Sequence, residues 1–222
     1  MIKASKIFKT YHNGVIDVPV LKGIDFEMKK GDFIALTGKS GAGKSTLLYQ
    51  LGLLDDFDSG ELFIDGVDTH SMSQKEKTQF RLNNLGYVFQ DYALLPELTA
   101  SENIMVPLLM QGVETKKAYE IAVNTLEKVG LKSKADNLPS QMSGGEQQRV
   151  SVARAIANEP KILFADEPTS NLDTANSKVV LDLFKELNEK GQTILLITHE
   201  LEYTKYANKV ISMVDGTINK NS

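Results

Sequence analysis

The sequence predicts an α/β fold built on a mostly parallel sheet, and three observations carry that prediction. A glycine-rich loop, Gly38 to Thr46, stands between an apolar strand-like run and a helical pattern. Two further apolar runs, Ile162–Ala165 and Thr193–Ile197, flank a stretch with helical spacing. Strands that alternate with helices pair in parallel, because each crossover returns the chain to the same end of the sheet. The third observation is a change of period. The first sixty residues or so are β-rich, while the stretch from about Asp91 to Gln141 turns helical and irregular.

Each element has a local reason. Ile24-Asp25-Phe26-Glu27-Met28 alternates apolar and polar residues, the period of a half-buried strand. Gly31-Asp32 turns the chain into Phe33-Ile34-Ala35-Leu36-Thr37, a continuous apolar strand, and a helix carrying Leu47, Leu48 and Leu51 should begin within the loop that follows. Glu61-Leu62-Phe63-Ile64 runs into Asp65-Gly66, a hairpin signal. Gly86-Tyr87-Val88-Phe89 reads as a short strand ending at Gln90. Ala122, Leu126 and Val129 lie at helical spacing, with Gly130 as the stop. A helix after Ser143 presents Val150, Ala153 and Ala157 on its apolar face and is closed by Pro160. The helix between the two buried strands carries Val179, Val180, Leu183, Phe184 and Leu187 and stops at Gly191.

Composition narrows the classes. The chain has 222 residues, 41% of them hydrophobic, enough for one large α/β domain or a domain with a subdomain. No apolar run approaches the ~18 residues of a membrane-spanning helix, and MIKASKIFKTYHNG lacks the apolar centre of a signal peptide. A cytoplasmic chain is expected. Cysteine is absent, which removes disulfides and thiol catalysis. Net charge is −4 with acids and bases interspersed, so there is no basic stripe and no nucleic-acid partner is expected. Pairs such as Lys29-Lys30 and Lys116-Lys117 read as solvated surface.

Gly38-Lys39-Ser40-Gly41-Ala42-Gly43-Lys44-Ser45-Thr46 fits G-x-x-x-x-G-K-[ST], the phosphate loop of P-loop NTPases (Walker A), in the required place between strand and helix. The glycines let the backbone wrap phosphate oxygens so that N–H groups point inward. The helix N-terminus adds positive potential there. Lys44 is placed to reach the β- and γ-phosphates of ATP, and the Ser45 hydroxyl to ligate Mg²⁺.

The strand Ile162–Ala165 ends in Asp166 and Glu167. Ligands of open α/β sheets bind at the carboxyl ends of strands. Asp166 is therefore placed to hold Mg²⁺, and Glu167 to act as general base toward the attacking water. Thr193–Ile197 ends at Thr198-His199, which brings a histidine to the same sheet edge, where it can contact the γ-phosphate or order that water. A histidine after a strand is by itself more often structural. His12 and His70 receive no functional assignment.

Ser143-Gly144-Gly145-Glu146-Gln147 fits a capping box, Ser143 capping a helix and Glu146 reaching back. A capping box does not need two consecutive glycines, which are poor helix formers. Glycines at a helix N-terminus suit a backbone that approaches an anion closely. Because one helix N-terminus already serves the phosphates, this second one is expected to serve a nucleotide on another subunit.

In this order, Tyr11, the phosphate loop, Gln90, the Ser143–Gln147 run, the acidic strand, Ser170-Asn171-Leu172-Asp173 and His199 resemble the ATP-binding subunit of an ATP-binding-cassette (ABC) transporter over nearly the whole chain. The resemblance implies an ABC ATPase fold. Residues 1–90 and 146–222 would form a RecA-like core with an N-terminal antiparallel β subdomain, and residues 91–145 a helical signature subdomain. It implies that Tyr11 stacks on adenine, with Phe8 as the alternative, an interaction of roughly 1–3 kcal/mol. Gln90 would sense Mg²⁺ and the attacking water, and link the site to a membrane subunit. Ser143, Gly144, Gly145 and Gln147 would contact ATP held by the opposite subunit, and Asp173 would lie in the loop crossing the dimer interface. Glu167 would be the catalytic base, aided by Lys44 and Gln90, and His199 the switch histidine.

Within the family, Val18–Gly23, Gly52-Leu53-Leu54-Asp55, Gly86–Gln90, Leu94–Thr99, Glu102-Asn103-Ile104 and Gly144–Val150 resemble the lipoprotein-release and macrolide-efflux group (LolD/MacB type). That implies a head-to-tail homodimer with two ATP molecules, powering a separate FtsX/MacB-like membrane permease. With the chain ending at Ser222, the permease is expected on another polypeptide. Its docking segment is expected near Gln90–Ile104, where Leu94, Leu95, Pro96 and Leu98 offer apolar contact. The subunit would sit on the inner face of the cell membrane. The alternatives are an importer ATPase and a soluble ABC ATPase acting on DNA or ribosomes. The short stretch between Gln90 and Ser143 leaves no room for the long coiled coil of the DNA-repair type.

Overall fold

The structure, a computed structural model, describes residues 1–12, 14 and 16–219. The N-terminal third folds as antiparallel sheet. Ile2–His12 (β1) pairs with Asp17–Met28 (β2), from Ile2 opposite Met28 to His12 opposite Asp17. Ser59–Ile64 (β4) adds to the other edge of β1, and Val67–Asp68 (β5) follows it through a tight turn. Asp65 and Gly66 both take positive φ, 54° and 80°, the backbone of a two-residue hairpin that keeps the strand twist.

The second sheet carries the site. Phe33–Thr37 (β3), Leu85–Val88 (β6), Ile162–Asp166 (β7), Thr193–Ile197 (β8), Lys209–Val214 (β9) and Thr217–Ile218 (β10) lie in the order β10-β9-β3-β8-β7-β6. All neighbours are parallel except β9 and β10. Strands β3, β7 and β8 are buried at every residue, as expected of parallel strands covered on both faces.

Alternation along these strands divides the core. Ile34, Leu36, Ile162, Phe164, Leu195 and Ile197 pack against the antiparallel sheet and against Leu47, Leu48 and Leu51 of helix α1 (Lys44–Leu51). The opposite face, including Leu163, Ala165, Ile194 and Leu196, packs against α3 (Ala100–Met110), α4 (Thr115–Lys128), α5 (Gly144–Ile156) and α6 (Thr174–Glu189). The helical region therefore shares one apolar cluster with the sheet: Ile104, Leu108, Ala122 and Leu126 join Val150, Ala153 and Leu163. Removing a side chain such as Leu126, fully buried, costs about 2–5 kcal/mol.

The same capping device starts three helices. Ser73 with Glu76 opens α2 (Gln74–Asn84), Thr99 with Glu102 opens α3, and Ser143 with Glu146 opens α5. Gly130 (φ 73°) and Gly191 (φ 96°) lie just beyond α4 and α6, as predicted. Other expectations are corrected. The sequence pattern showed no helix over α2, which buries no residue and so has no apolar stripe to read. It showed no strand beyond Ile197, because β9 is half exposed and lacks strict alternation. The alternating strand expected at Ile24–Met28 is the last part of a longer one, Asp17–Met28. Helix α5 stops at Ile156, short of Pro160, with Ala157 as its cap.

Candidate nucleotide site

The phosphate loop leaves the C-terminal end of β3 and enters α1 at Lys44. Two of its glycines are required by shape. Gly38 has φ 149°, and a Cβ there would stand 2.4 Å from the Met213 carbonyl oxygen. Gly43, the residue before the helix, has φ 96° and would crowd Val20. With side chains excluded, the N–H groups of the first helical turn, which have no intrahelical acceptor, remain free for an anion. Lys44 is buried, and its Nζ donates to the carbonyls of Gly38 (3.0 Å) and Lys39 (3.1 Å). Carbonyl dipoles can hold an ammonium in place and be exchanged for phosphate oxygens.

β7 and β8 bring the acids and the histidine to this loop, as predicted. Ser45 Oγ donates to Asp166 Oδ1 at 2.9 Å. Burial pushes the Asp166 carboxyl above its ordinary range, against the opposing pull of Ser45, Tyr49 and Lys44. Tyr49 was not foreseen. It lies one turn after Ser45 on the same face of α1, and its phenol is pushed up to about 12 by burial and by Asp166. The i,i+4 spacing from Ser45 was the available signal.

Glu167 adopts a left-handed backbone, φ 46°, rare for a residue with a side chain and costing on the order of 1–3 kcal/mol. Its carboxylate Oε2 lies 3.1 Å from His199 Nδ1, and the other ring nitrogen faces Glu200 at 3.4 Å. Gln90 is held through its backbone: its carbonyl accepts from Asn171 Nδ2 at 3.0 Å. Phe89 just before it accepts from Gln148, and the carbonyls of Tyr92 and Ala93 accept from Arg154. Tyr92 and Ala93 are left-handed as well, so α5 clamps a strained turn immediately after Gln90.

Tyr11 stands beside Thr46 at the end of the phosphate loop, 42% exposed, with Lys9 Nζ 5.0 Å from its ring centroid. Phe8, the alternative, faces Gly23 instead.

The remaining predicted residues form a separate group. Asp173 caps α6 and bonds Asn176 twice, both at 2.8 Å, and Asn176 packs on Gly145. A Cβ on Gly145 would come within 2.3 Å of Asn176 Oδ1, and one on Gly144 within 2.8 Å of the Tyr92 hydroxyl. The paired glycines thus have a packing reason of their own beside any approach to an anion. Ser143 is engaged in its capping box, and Gln147 Nε2 donates to Met142 O at 3.1 Å. Among the described residues, no hydrogen bond or ion pair joins residues 143–147 or Asp173 to the phosphate loop, Asp166, Glu167 or His199.

The expected docking segment is only partly on the surface. Leu95 is 47% exposed and Pro96 is exposed, but Ile104 is fully buried. Asn103, also buried, uses its side chain to bond the backbone of Leu95, Leu98 and Thr99, and so shapes that loop. An apolar cleft of about 440 Å³ opens beside it, lined by Leu54, Tyr87, Phe89, Pro107, Met110 and Arg154 among others.

A phosphate loop after a buried strand, with a serine–aspartate pair, a strained glutamate and a histidine at neighbouring strand ends, defines a P-loop ATPase. The helix capped by Ser143-Gly144-Gly145 narrows it to the cassette type. Residues 21–170 match the model of the ABC transporter family, and the chain belongs to that family. It is 48% identical to the lipoprotein-releasing system ATP-binding protein LolD of Aquifex aeolicus, over 90% of this chain and 89% of that one. It is 45% identical to the macrolide export ATP-binding/permease protein MacB of Syntrophobacter fumaroxidans, matching all of this chain but 32% of that larger protein. The fold superposes on a dimeric post-hydrolysis structure of the ATP-binding cassette MJ0796 bound to ADP and Pi, with a TM-score of 0.92 and 36% identity, covering 99% of this chain and 97% of that one. The chain is an ATP-binding, ATP-hydrolysing subunit of an ABC transporter of the LolD/MacB type. No helix among the described residues is long and apolar enough to cross a membrane.

Proposed function

We propose that two copies pair head to tail around two ATP molecules, and that closure of this dimer drives a membrane permease of the lipoprotein-release or macrolide-export kind. One observation carries the reading. Among the described residues, Ser143, Gly144, Gly145 and Gln147, with Asp173, form a group with no hydrogen bond or ion pair to the phosphate loop, Asp166, Glu167 or His199 of the same chain. A second copy supplies the missing half of each site. The dimeric cassette with ADP and Pi is support by similarity.

In each site Gly38–Thr46 wraps the phosphates, Lys44 exchanges its carbonyl partners for β- and γ-phosphate oxygens, and Tyr11 stacks on adenine. The donors near Ser45 are hard oxygens, Ser45 Oγ and Asp166 Oδ1 lying 2.9 Å apart, a set that suits Mg²⁺ together with Gln90. Bound there, Mg²⁺ would neutralise charge on the β- and γ-phosphates. Glu167 takes a proton from the water that attacks the γ-phosphorus, as the bridging oxygen leaves with ADP. His199, 3.1 Å from Glu167, orients that carboxylate and the water. The permease presents a cytoplasmic helix to the apolar cleft and to Leu95, which holds the subunit at the inner face of the cell membrane. Residues 91–145 act as the helical subdomain between the signature and that cleft.

The test is the Glu167→Gln variant with ATP on size-exclusion chromatography. A stable ATP-dependent dimer is expected. Monomer alone, across several salt concentrations, would sink the sandwich.

A further inference from the structure

Asp55 takes no part in the chemistry, yet several donors converge on its carboxylate. The turn after α1 puts it there: Gly52 N–H donates to Leu48 O at 2.8 Å, Leu53 takes φ 59°, and the N–H groups of Leu54 and Asp55 both reach Tyr49 O. Asp55 Oδ2 accepts from the Tyr11 hydroxyl at 3.0 Å, from Gln50 Nε2 at 3.1 Å and from Lys9 Nζ at 3.0 Å. Oδ1 takes the Asp56 N–H at 2.8 Å. Gln50 is fully buried and spends its amide on Asp55, while its own Oε1 has no partner. An unpaired buried oxygen is costly, so the amide's position is worth explaining. The Lys9 side chain is only 11% exposed and lies over one face of the Tyr11 ring, a cation–π contact. Tyr11 itself remains 42% exposed.

We propose that Asp55 is a positioning residue for the nucleotide base: it anchors the Tyr11 hydroxyl and the Lys9 ammonium, fixing the ring plane and leaving one face for stacking. The proposal rests on the reading of Tyr11 as the adenine platform. Its physical content is preorganisation. A ring already immobilised loses no rotamer freedom when the base arrives. Because Gln50 and Asp55 sit at the end of the helix that begins the phosphate site, one element sets the position of both ends of the nucleotide.

The test compares ATP with inorganic tripolyphosphate, which lacks the base, as competing ligands of the full chain. Tyr11→Ala should weaken ATP about tenfold, within the range that loss of base–aromatic stacking produces, and leave tripolyphosphate unchanged. Asp55→Ala should weaken ATP roughly three- to tenfold and also spare tripolyphosphate. Tyr11→Phe, which keeps the ring and loses the anchor, should match Asp55→Ala, and the double variant should be no worse than either alone, as for two members of one contact. If Tyr11→Ala weakens ATP but Asp55→Ala and Tyr11→Phe do not, the positioning role is wrong and the platform stands. If Tyr11→Ala has no effect, the platform reading fails and takes the proposal with it. Equal weakening of both ligands by Asp55→Ala would mean that it acts through the fold of α1, and would also overturn the proposal. Should Asp55→Ala not fold, Tyr11→Phe decides alone, since it leaves the backbone intact.

Discussion

The phosphate-loop region and the Ser143–Gln147 region both present a helix N-terminus, but they are built differently. In the first, chemistry converges within one chain. Lys44 rests on two exchangeable carbonyls, Ser45 holds Asp166, and Glu167 is held in a strained backbone beside His199. In the second, the side chains are locally occupied: Ser143 in its capping box, Gln147 on Met142, and the glycines under Tyr92 and Asn176. The first region gathers, within one chain, the groups that the proposed chemistry uses. The second is a surface whose side chains are satisfied by their own neighbours. The difference is what the proposed head-to-tail dimer would explain.

Four substitutions break or sharpen this contrast. Glu167→Gln acts in the first region, on the proposed general base, and should lower kcat by about 10²–10⁴ with little change in KM, measured by phosphate release. Gly145→Ala acts in the second. Its new Cβ would meet Asn176 Oδ1 at 2.3 Å and displace the Asp173–Asn176 pair. Placed in the Glu167→Gln background, it should abolish the ATP-dependent dimer while the monomer still binds ATP normally. Loss of monomer binding instead would show that the two regions are not separable.

Asp166→Asn gives a smaller effect with a definite sign. Burial raises the Asp166 carboxyl in the folded state, so the folded chain holds its proton more tightly than the unfolded chain does. That contribution is present below the ordinary aspartate range and is lost as pH rises through the raised folded value. At neutral pH the ionised side chain therefore costs stability. Asp166→Asn should raise the thermal midpoint at pH 7, with the gain shrinking as the solution is acidified, while ATPase activity falls. A midpoint that drops at neutral pH would mean that its bonds to Ser45 and Tyr49 outweigh its burial. The smallest effect is expected outside both regions: Leu95→Asp should leave the ATPase of the isolated chain within about twofold, as for other surface changes, yet uncouple transport when the permease is present. Equal loss of both activities would move Leu95 from docking to folding.

Much of this was legible beforehand, for identifiable reasons. β3, β7 and β8 are apolar throughout because both faces are covered, and a run of that kind is hard to mistake. The phosphate loop is legible because its glycines, lysine and serine are adjacent in the chain and the spacing is itself the chemistry. Helix α2 escaped because it has no fully buried residue and only Phe80 packs against the core, although Ser73 and Glu76 carried its start signal. Residues that act by holding others escaped too. Tyr49 and Arg154 are ordinary in sequence, and Asp55 and Asn103 stood only in stretches that carried the subgroup resemblance; each gains its role from a partner that the fold brings to it: Asp166, the turn after Gln90, Tyr11 and the Leu95–Thr99 loop.

The amino-acid sequence alone determined the family, the order of the central strands and the helices between them, the phosphate-loop motif and the acids at the strand end, because those depend on local spacing and on apolar period. Only the tertiary structure decided which of them meet. Ser45 and Asp166 are far apart in the chain but 2.9 Å apart in the fold, while Gly144 and Gly145 pack against Tyr92 and Asn176. The physical reason is that hydrogen bonds act over ångströms, and the distances that matter are set by how the two faces of one sheet are covered.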